Sequence, residues 1–200
     1  MKNSKIKICG IKREQDIDYV NMLKPDYIGF VFAKQSRRYI TPDMAAMLRK
    51  KLLPGITPVG VFVNEYVEKV AGLMLRGIIE IAQFHGQENE DYIAAFRQLT
   101  GNPVIQAFRI DRPDDVIRAA QSSADFILLD NGAGGTGTTF DWTLIQNIQR
   151  PFFLAGGLNA DNVDEAIRLS NPYSVDISSG VETNNIKDYA KMQKFINRVR

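Results

Sequence analysis

The run Phe126-Ile127-Leu128-Leu129-Asp130, followed by the glycine-dense stretch from Asn131 to Gly137, decides the fold of this chain. An apolar run this short, bounded by turn residues, predicts a strand buried on both faces, as in the parallel sheet of an α/β protein. The carboxyl group of Asp130 stands where this strand meets a loop, and packing explains it poorly. Asp130 is therefore a candidate functional residue, although an aspartate here can also cap the following turn.

Similar short apolar runs recur along the chain, and stretches with helical spacing separate them. The clearest helical stripe is Val67, Val70, Ala71, Met74 and Leu75, at positions i, i+3, i+4, i+7 and i+8. The predicted strands are Lys5 to Cys9, Tyr27 to Phe32, Pro58 to Val63, Ile79 to Phe84, Pro103 to Phe108, Ala124 to Asp130, Phe152 to Ala155 and Tyr173 to Ser178. The other predicted helices span about 14–24, 42–52, 90–99, 113–122, 141–148, 160–170 and 189–199.

Eight alternating strand and helix units favour a closed (β/α)₈ barrel, the TIM barrel, over an open doubly wound sheet. An open sheet of similar length would usually have fewer strands. The chain has 200 residues, which fits one domain with a continuous core. We therefore predict a single barrel domain over residues 1–200.

The composition argues against several classes of protein. The formal net charge is +2 and nothing in the scatter of basic residues requires nucleic acid. No apolar stretch approaches the roughly 20 residues of a membrane helix. The single cysteine cannot form an internal disulfide, which suits a reducing compartment. We expect a cytoplasmic protein that binds neither nucleic acid nor a membrane.

In such a barrel the chemistry lies at the carboxyl ends of the strands. Several reactive or glycine-bearing positions fall at or just after a predicted strand end. They are Cys9, Arg38, His85, Asp130, Gly156-Gly157 and Ser179-Gly180. Their collection at one rim predicts a functional site there.

Cys9 is a candidate proton-transferring group, although a free cysteine is often only a small buried apolar residue. An unperturbed thiol pKa of about 8.5 leaves little thiolate at neutral pH, so catalysis would need a nearby cation. Lys7 lies on the same strand face, which we take to be the barrel interior. Its ammonium group must then find a carboxylate or several hydrogen-bond acceptors, which indicates a structural role first and electrostatic help to Cys9 second.

Asp130 shares its strand face with Leu128 and Phe126 and should also point into the barrel mouth. Apolar neighbours favour the protonated carboxyl that a general acid needs. His85 is the only histidine, and no second histidine or cysteine pair suggests a metal site. A lone histidine is more often a hydrogen-bonded structural group or a substrate contact than the base, and we assign His85 to binding. A thiol and a carboxyl in one pocket suit an isomerisation by proton transfer.

The glycines after the last two predicted strands suggest a phosphate site. Barrels often bind a substrate phosphate there through backbone N–H groups, and glycine lets the backbone approach the anion closely. One Gly-Gly pair alone would be read as a tight turn. Two such positions, at Gly156-Gly157 and Ser179-Gly180, favour phosphate binding.

Taken together, these segments resemble the phosphoribosylanthranilate isomerases of tryptophan biosynthesis, over nearly the whole chain and in order. The matching segments are Lys7 to Ile11, Gly29 to Phe32 with Ser36 to Tyr39, Val59 to Asn64, Gln83 to Gly86, Leu128 to Asp130, Gly134 to Gly137 with Phe140 to Trp142, Ala155 to Leu158, and Asp176 to Glu182. Each segment alone is a weak signal, but eight in the right order are a strong one.

The resemblance implies a cofactor-free (β/α)₈ enzyme that converts N-(5-phosphoribosyl)anthranilate into 1-(2-carboxyphenylamino)-1-deoxyribulose 5-phosphate. It implies Cys9 as general base and Asp130 as general acid, with no metal. The other implied site residues are Arg38, Gln83, His85 and Asp176 for the substrate, with Arg38 at the anthranilate end, and Gly135, Gly156, Gly157, Ser179 and Gly180 for the phosphate. The implied partner is a phosphorylated small molecule, and the enzyme would be a monomer or a homodimer.

Other phosphate-binding barrels remain alternatives. A histidine-pathway aminoaldose isomerase would be expected to use a carboxylate at the end of the first strand, where this chain has Cys9. A pentose-phosphate epimerase would need a metal site with several histidines. A barrel without catalytic activity could also bind phosphorylated sugars or a partner protein, but the presence of both Cys9 and Asp130 disfavours it.

Overall fold

The computed structural model describes residues 4–131, 139 and 141–200. Eight parallel strands follow one another around a closed barrel, and β8 pairs with β1 to close it. The strands are β1 Lys5–Cys9, β2 Tyr27–Val31, β3 Thr57–Phe62, β4 Ile81–Phe84, β5 Val104–Arg109, β6 Phe126–Asp130, β7 Phe152–Leu154 and β8 Ser174–Ile177. The predicted (β/α)₈ barrel is confirmed, and each predicted strand overlaps one strand of the ring.

Of the seven α-helices in the described residues, six connect successive barrel strands and the seventh follows β8. They are α1 Glu14–Leu23, α2 Pro42–Lys51, α3 Val67–Leu75, α4 Glu90–Thr100, α5 Pro113–Ala120, α6 Val163–Ser170 and α7 Tyr189–Val199. A short antiparallel hairpin, β9 Glu182–Thr183 with β10 Ile186–Lys187, lies between β8 and α7. None of the helices in this part of the chain has the length and apolar character needed to cross a membrane.

The helix predicted at about 141–148 is a 3₁₀ turn over Trp142–Ile145 instead. A 3₁₀ turn aligns residues that are three apart, and here it buries Trp142 and Ile145 together. Pro151 precedes β7 and prevents a helix from continuing into the strand.

Local sequence signals mark the residues at which two of the helices begin. The Thr41 hydroxyl accepts a hydrogen bond from the Met44 N–H, and Pro42 takes the first position of α2. The Asp188 carboxylate accepts one from the Lys191 N–H at the start of α7. These caps are encoded within a few residues, which is why the starts of both helices were predictable.

The interior of the barrel changes character along its axis. Apolar side chains, among them Tyr27, Val59, Ile105, Leu128 and Phe153, fill one layer. Towards the carboxyl ends, polar and ionisable groups replace them, and these are Lys7, Gln83, Asp130 and Asp176. Buried charge therefore concentrates at the rim where a barrel carries its chemistry.

Candidate active site

A pocket of about 280 Å³ opens at the carboxyl ends of the barrel strands. Strands β1, β2, β3, β4, β6, β7 and β8, or the loops that follow them, contribute to its wall. The predicted site residues that line it are Cys9, Arg38, Gln83, His85, Asp130, Gly156, Gly157, Asp176 and Ser179. The structure thus brings residues from the two ends of the chain into one cavity.

Cys9 ends β1 and is partly buried. Gly29 on the neighbouring strand makes room for it, because a Cβ atom at position 29 would stand 2.6 Å from the Cys9 Sγ. The Ser178 hydroxyl donates a hydrogen bond to the Cys9 carbonyl oxygen at 3.0 Å. Burial raises the pKa of the Cys9 thiol, and although the Lys7 ammonium group opposes this, the pKa lies above its ordinary value.

Lys7 is fully buried, and its Nζ donates to the Asp176 Oδ2 at 2.8 Å. Of the two kinds of partner expected for Lys7, a carboxylate or several acceptors, the structure thus shows a carboxylate. Burial lowers the pKa of Lys7, but the interactions with Asp176 and Cys9 outweigh burial. The pKa of Lys7 therefore lies above its ordinary value, and Lys7 stays an ammonium ion. The other oxygen of Asp176, Oδ1, is buried and has no hydrogen-bond partner among the described residues, which leaves it available to a substrate hydroxyl group.

Asp130 ends β6 and faces His85 across the pocket, with 3.7 Å between the His85 Nε2 and the Asp130 Oδ2. The Gln83 amide Nε2 lies 3.1 Å from the His85 Nδ1. A neutral imidazole that accepts from this amide at Nδ1 carries its proton on Nε2, the ring nitrogen that faces Asp130. The Asp130 Oδ1 is buried without a hydrogen-bond partner in the described part of the chain.

Gly156 explains how Asp130 fits beside β7. Its φ is +86°, and a Cβ atom there would stand 2.7 Å from the Asp130 Oδ1. Gly157 follows with a φ of +64°, and its carbonyl oxygen accepts a hydrogen bond from the Asn162 side chain at 3.0 Å. The glycine pair is thus needed for space beside the carboxyl group as well as for the turn.

The predicted phosphate residue Gly180 is not among the residues that line this pocket. Gly180 packs against the loop after β7, where a Cβ atom would collide with the Leu158 carbonyl oxygen. Its absence of a side chain therefore serves the contact between two loops, and its phosphate role stays a prediction. Gly135 lies outside the described residues.

Arg38 reaches the pocket from the loop after β2 and forms a two-pronged ion pair that the sequence did not predict. Its Nε donates to the Glu182 Oε1 at 2.8 Å and its Nη2 to the Glu182 Oε2 at 2.7 Å. The Lys187 Nζ donates to the same Oε1 at 2.7 Å. Glu182 is the last residue of a matched segment, but nothing local to it indicates that Arg38 is its partner.

Among residues 4–131, 139 and 141–200 there is no group of three or more His, Cys, Asp or Glu side chains that could hold a metal ion. The ionisable groups at this rim are instead paired or face the cavity singly. The arrangement can bind an anion, donate a proton from a carboxyl group and accept one at a thiolate.

Comparison with known proteins agrees with this arrangement. The family model of N-(5'-phosphoribosyl)anthranilate (PRA) isomerase matches residues 6–198. A relative of that name from Endomicrobium trichonymphae is 45% identical over 200 residues, with 98% of each chain covered. The crystal structure of phosphoribosyl anthranilate isomerase from Thermotoga maritima superposes with a TM-score of 0.89 at 35% identity, again covering 98% of each chain.

A further solved structure shows this kind of enzyme with a ligand bound. It is a phosphoribosyl anthranilate isomerase in complex with reduced 1-(o-carboxyphenylamino)-1-deoxyribulose 5-phosphate, with a TM-score of 0.86, 34% identity and 98% coverage of both chains. Both the sequence and the fold are matched over nearly their full length. The chain therefore belongs to the N-(5'-phosphoribosyl)anthranilate isomerase family.

Proposed function

We propose that this chain catalyses the Amadori rearrangement of N-(5'-phosphoribosyl)anthranilate, with Asp130 as general acid and Cys9 as general base. The observation that carries the proposal is that both side chains line one cavity at the carboxyl ends of the barrel strands. The product is 1-(2-carboxyphenylamino)-1-deoxyribulose 5-phosphate. Membership of the isomerase family supports the same reaction.

The first step is acid catalysis at the sugar ring. Asp130 donates its proton to the ring oxygen, and the bond between C1 and that oxygen breaks with its electron pair going to the oxygen. The nitrogen lone pair forms a double bond to C1, which gives a protonated Schiff base. Asp130 lines the cavity, its Oδ1 has no hydrogen-bond partner among the described residues, and its Oδ2 lies 3.7 Å from the His85 Nε2.

The second step is removal of the C2 proton by the Cys9 thiolate. The cationic nitrogen makes this proton acidic, and its departure leaves an enolamine with a C1–C2 double bond. Tautomerisation moves a proton from the enol oxygen to C1 and yields the ketone. Lys7 supports this step because its positive charge lowers the pKa of the thiol against the effect of burial.

The two ends of the substrate are held by different loops. Arg38 offers a guanidinium group to the anthranilate carboxylate, and Gln83, His85 and Asp176 contact the groups between the ends. The phosphate is held at Gly156, Gly157 and Ser179, which line the cavity, and at Gly180 and Gly135.

The proposal also includes the state in which the enzyme works. We assign the chain to one domain over residues 1–200, acting in the cytoplasm on a phosphorylated small molecule as a monomer or a homodimer. Light scattering coupled to size-exclusion chromatography would decide between these two states. A larger assembly would contradict the proposal.

The direct test is turnover of freshly generated phosphoribosylanthranilate, followed by the loss of its fluorescence. Purified protein should accelerate this loss well above the spontaneous rate. Pentose phosphates and the aminoaldose substrate of the histidine pathway serve as the comparison substrates. Loss at the spontaneous rate, together with turnover of either comparison substrate, would overturn the proposed function.

A further inference from the structure

Arg38 does not stand alone at the pocket mouth but belongs to a buried group of three charges, which we call the Arg38 clamp: Arg38, Glu182 and Lys187. The Glu182 carboxylate lies between the two cations and accepts hydrogen bonds from both. The side chains are 16%, 5% and 1% exposed, respectively. Water therefore screens these interactions weakly, and the geometry of the group is well defined.

The Arg38 side chain is held both along its aliphatic stem and at its guanidinium group. The aliphatic stem of Arg38 packs against the backbone at Gly10, where a Cβ atom would collide with the Arg38 Cδ. The Glu182 carboxylate then takes the edge formed by Nε and Nη2. The remaining Nη1 edge is left for a ligand in the cavity that Arg38 lines.

The net charge of the clamp explains why it contains a second cation. Arg38 and Glu182 alone would form a neutral pair with little attraction for another anion. Burial lowers the pKa of Lys187, although the Glu182 carboxylate opposes this. While Lys187 is an ammonium ion it adds one positive charge, so the group can receive one further carboxylate without leaving a buried charge unpaired. The Lys187 Nζ also donates a hydrogen bond to the Ser178 carbonyl oxygen at 3.0 Å. Ser178 is the residue whose hydroxyl group donates to the Cys9 carbonyl oxygen.

We propose that Glu182 and Lys187 are positioning residues that make Arg38 selective for a substrate whose aromatic ring carries a carboxylate. Glu182 sets the orientation of the guanidinium group, and Lys187 keeps the clamp positive. This inference rests on the proposed function, in which Arg38 receives the anthranilate carboxylate. It adds the two residues through which that recognition is tuned.

The test compares two ligands that differ only in this carboxylate. One is reduced 1-(o-carboxyphenylamino)-1-deoxyribulose 5-phosphate, and the other is the same molecule without the carboxyl group. Lys187→Met should weaken binding of the first about tenfold, the scale for a desolvated charge contact, and of the second less than about twofold. Glu182→Gln should show the same contrast. The glutamine NH2 group would face an Arg38 N–H, and since two donors cannot form a hydrogen bond, the guanidinium group would lose its fixed orientation.

Lys191→Met is the matched control. Lys191 is exposed and its Nζ donates to the Glu182 carbonyl oxygen at 2.7 Å, so it is a cation on the same residue but outside the clamp. Its replacement should change both dissociation constants by less than about twofold. Unchanged binding of the ligand without a carboxyl group shows that a variant has kept a folded pocket.

Three results would overturn the inference. The first is equal weakening of both ligands, which indicates a merely structural role. The second is no weakening of either ligand. The third is tighter binding of the carboxylate ligand by Glu182→Gln, which means that Glu182 competes for Arg38. If the wild-type protein binds neither ligand, the proposed function itself fails, and the inference falls with it.

Discussion

Cys9 and Asp130 enter the pocket from strands that are three steps apart around the ring, by way of β7 and β8. A thiol and a carboxyl group placed on separate strands can act on different atoms of one bound substrate. Neither group needs the other as a hydrogen-bond partner. Each is held by its own strand, which is the rigid support that positioned acid and base catalysis requires.

Replacing either group should therefore abolish most of the activity. We expect Cys9→Ala and Asp130→Asn each to lower kcat by at least about a hundredfold, the scale for losing a positioned acid or base. The double variant should be little worse than the weaker single variant, since the two steps act in sequence. Fluorescence-monitored turnover measures both effects.

Asp125→Asn is the control for Asp130→Asn, because Asp125 immediately precedes the same strand at the opposite rim. Its carboxylate accepts from the Val104 N–H and from Arg97, away from the cavity. Its kcat should stay within about twofold of the wild-type value. Full activity in Cys9→Ala or Asp130→Asn would remove the proposed mechanism.

Lys7 should set the pH at which Cys9 becomes active. The base is the thiolate, so activity should rise with pH as the thiol loses its proton. Lys7→Met removes the main group that lowers the pKa of Cys9, whereas burial and Asp176 raise it. The rise in kcat/KM should therefore move to higher pH in this variant, which a pH–rate profile records.

Lys5→Met provides the comparison, since Lys5 lies on the same strand but pairs with Asp26 at the exposed end. Its profile should coincide with that of the wild-type protein. An unchanged profile in Lys7→Met would show that Lys7 is only structural.

At the scale of one element, the loop after β7 needs glycine at position 156 for two reasons: the positive φ of the backbone and the space for the Asp130 carboxyl group. Gly156→Ala would strain a residue whose φ is +86° and push its Cβ against the Asp130 Oδ1. We expect a loss of about 1–2 kcal/mol in the free energy of unfolding together with a clear fall in kcat. Urea unfolding and the turnover assay measure these two quantities.

Gly101→Ala separates strain from function. Gly101 ends α4 with a φ of +68°, and a Cβ atom there meets no atom of the described residues within 4 Å. It should lose a similar free energy of unfolding, about 1–2 kcal/mol, while kcat is unchanged. If both variants kept full activity, the contact between Gly156 and Asp130 would have no catalytic consequence.

Elements near the pocket also show where local sequence signals end. The Val67–Leu75 helix was predictable because its apolar stripe lies within nine residues. The segment after Asp141 contains apolar residues at helical spacing too, yet it forms a 3₁₀ turn. Helical periodicity alone therefore does not decide between an α-helix and a 3₁₀ turn in this segment.

At the scale of the whole molecule, carboxylates on several elements have lowered pKa values. The backbone N–H of Asp111 donates to Asp115 and lowers the pKa of its carboxyl group. The Lys194 ammonium group lowers the pKa of Asp161. In the unfolded chain both groups return to ordinary values near pH 4.

The protein should therefore lose stability in acid. Below about pH 4 the unfolded chain binds more protons than the folded one, so the free energy of unfolding falls as the pH drops through the folded-state pKa values. Above that range this contribution is fully present and does not change with pH. Urea unfolding at neutral pH and at about pH 3 measures the difference, and equal stabilities would contradict it.

Much of the site could be predicted because strand ends are local features. An apolar run directly precedes each of Cys9, Asp130 and Gly156-Gly157. Once a barrel is predicted, their position at one rim therefore follows from the sequence. The hydrogen-bond and ion-pair partners of the site residues were harder to predict from the sequence. Lys7 was expected to meet a carboxylate or several hydrogen-bond acceptors, but the sequence did not say that its partner is Asp176, which lies 169 residues away.

By itself, the sequence determined the eight strands, their alternation with helices, and the reactive groups at the strand ends, because periodicity and capping act over a few residues. Only the tertiary structure decided the pairing of Arg38 with Glu182, which are 144 residues apart, and the burial of Lys187 beside them. The physical reason is the closure of the barrel. Pairing of β8 with β1 brings the last loop against the first strands and creates a charged contact that no local pattern encodes.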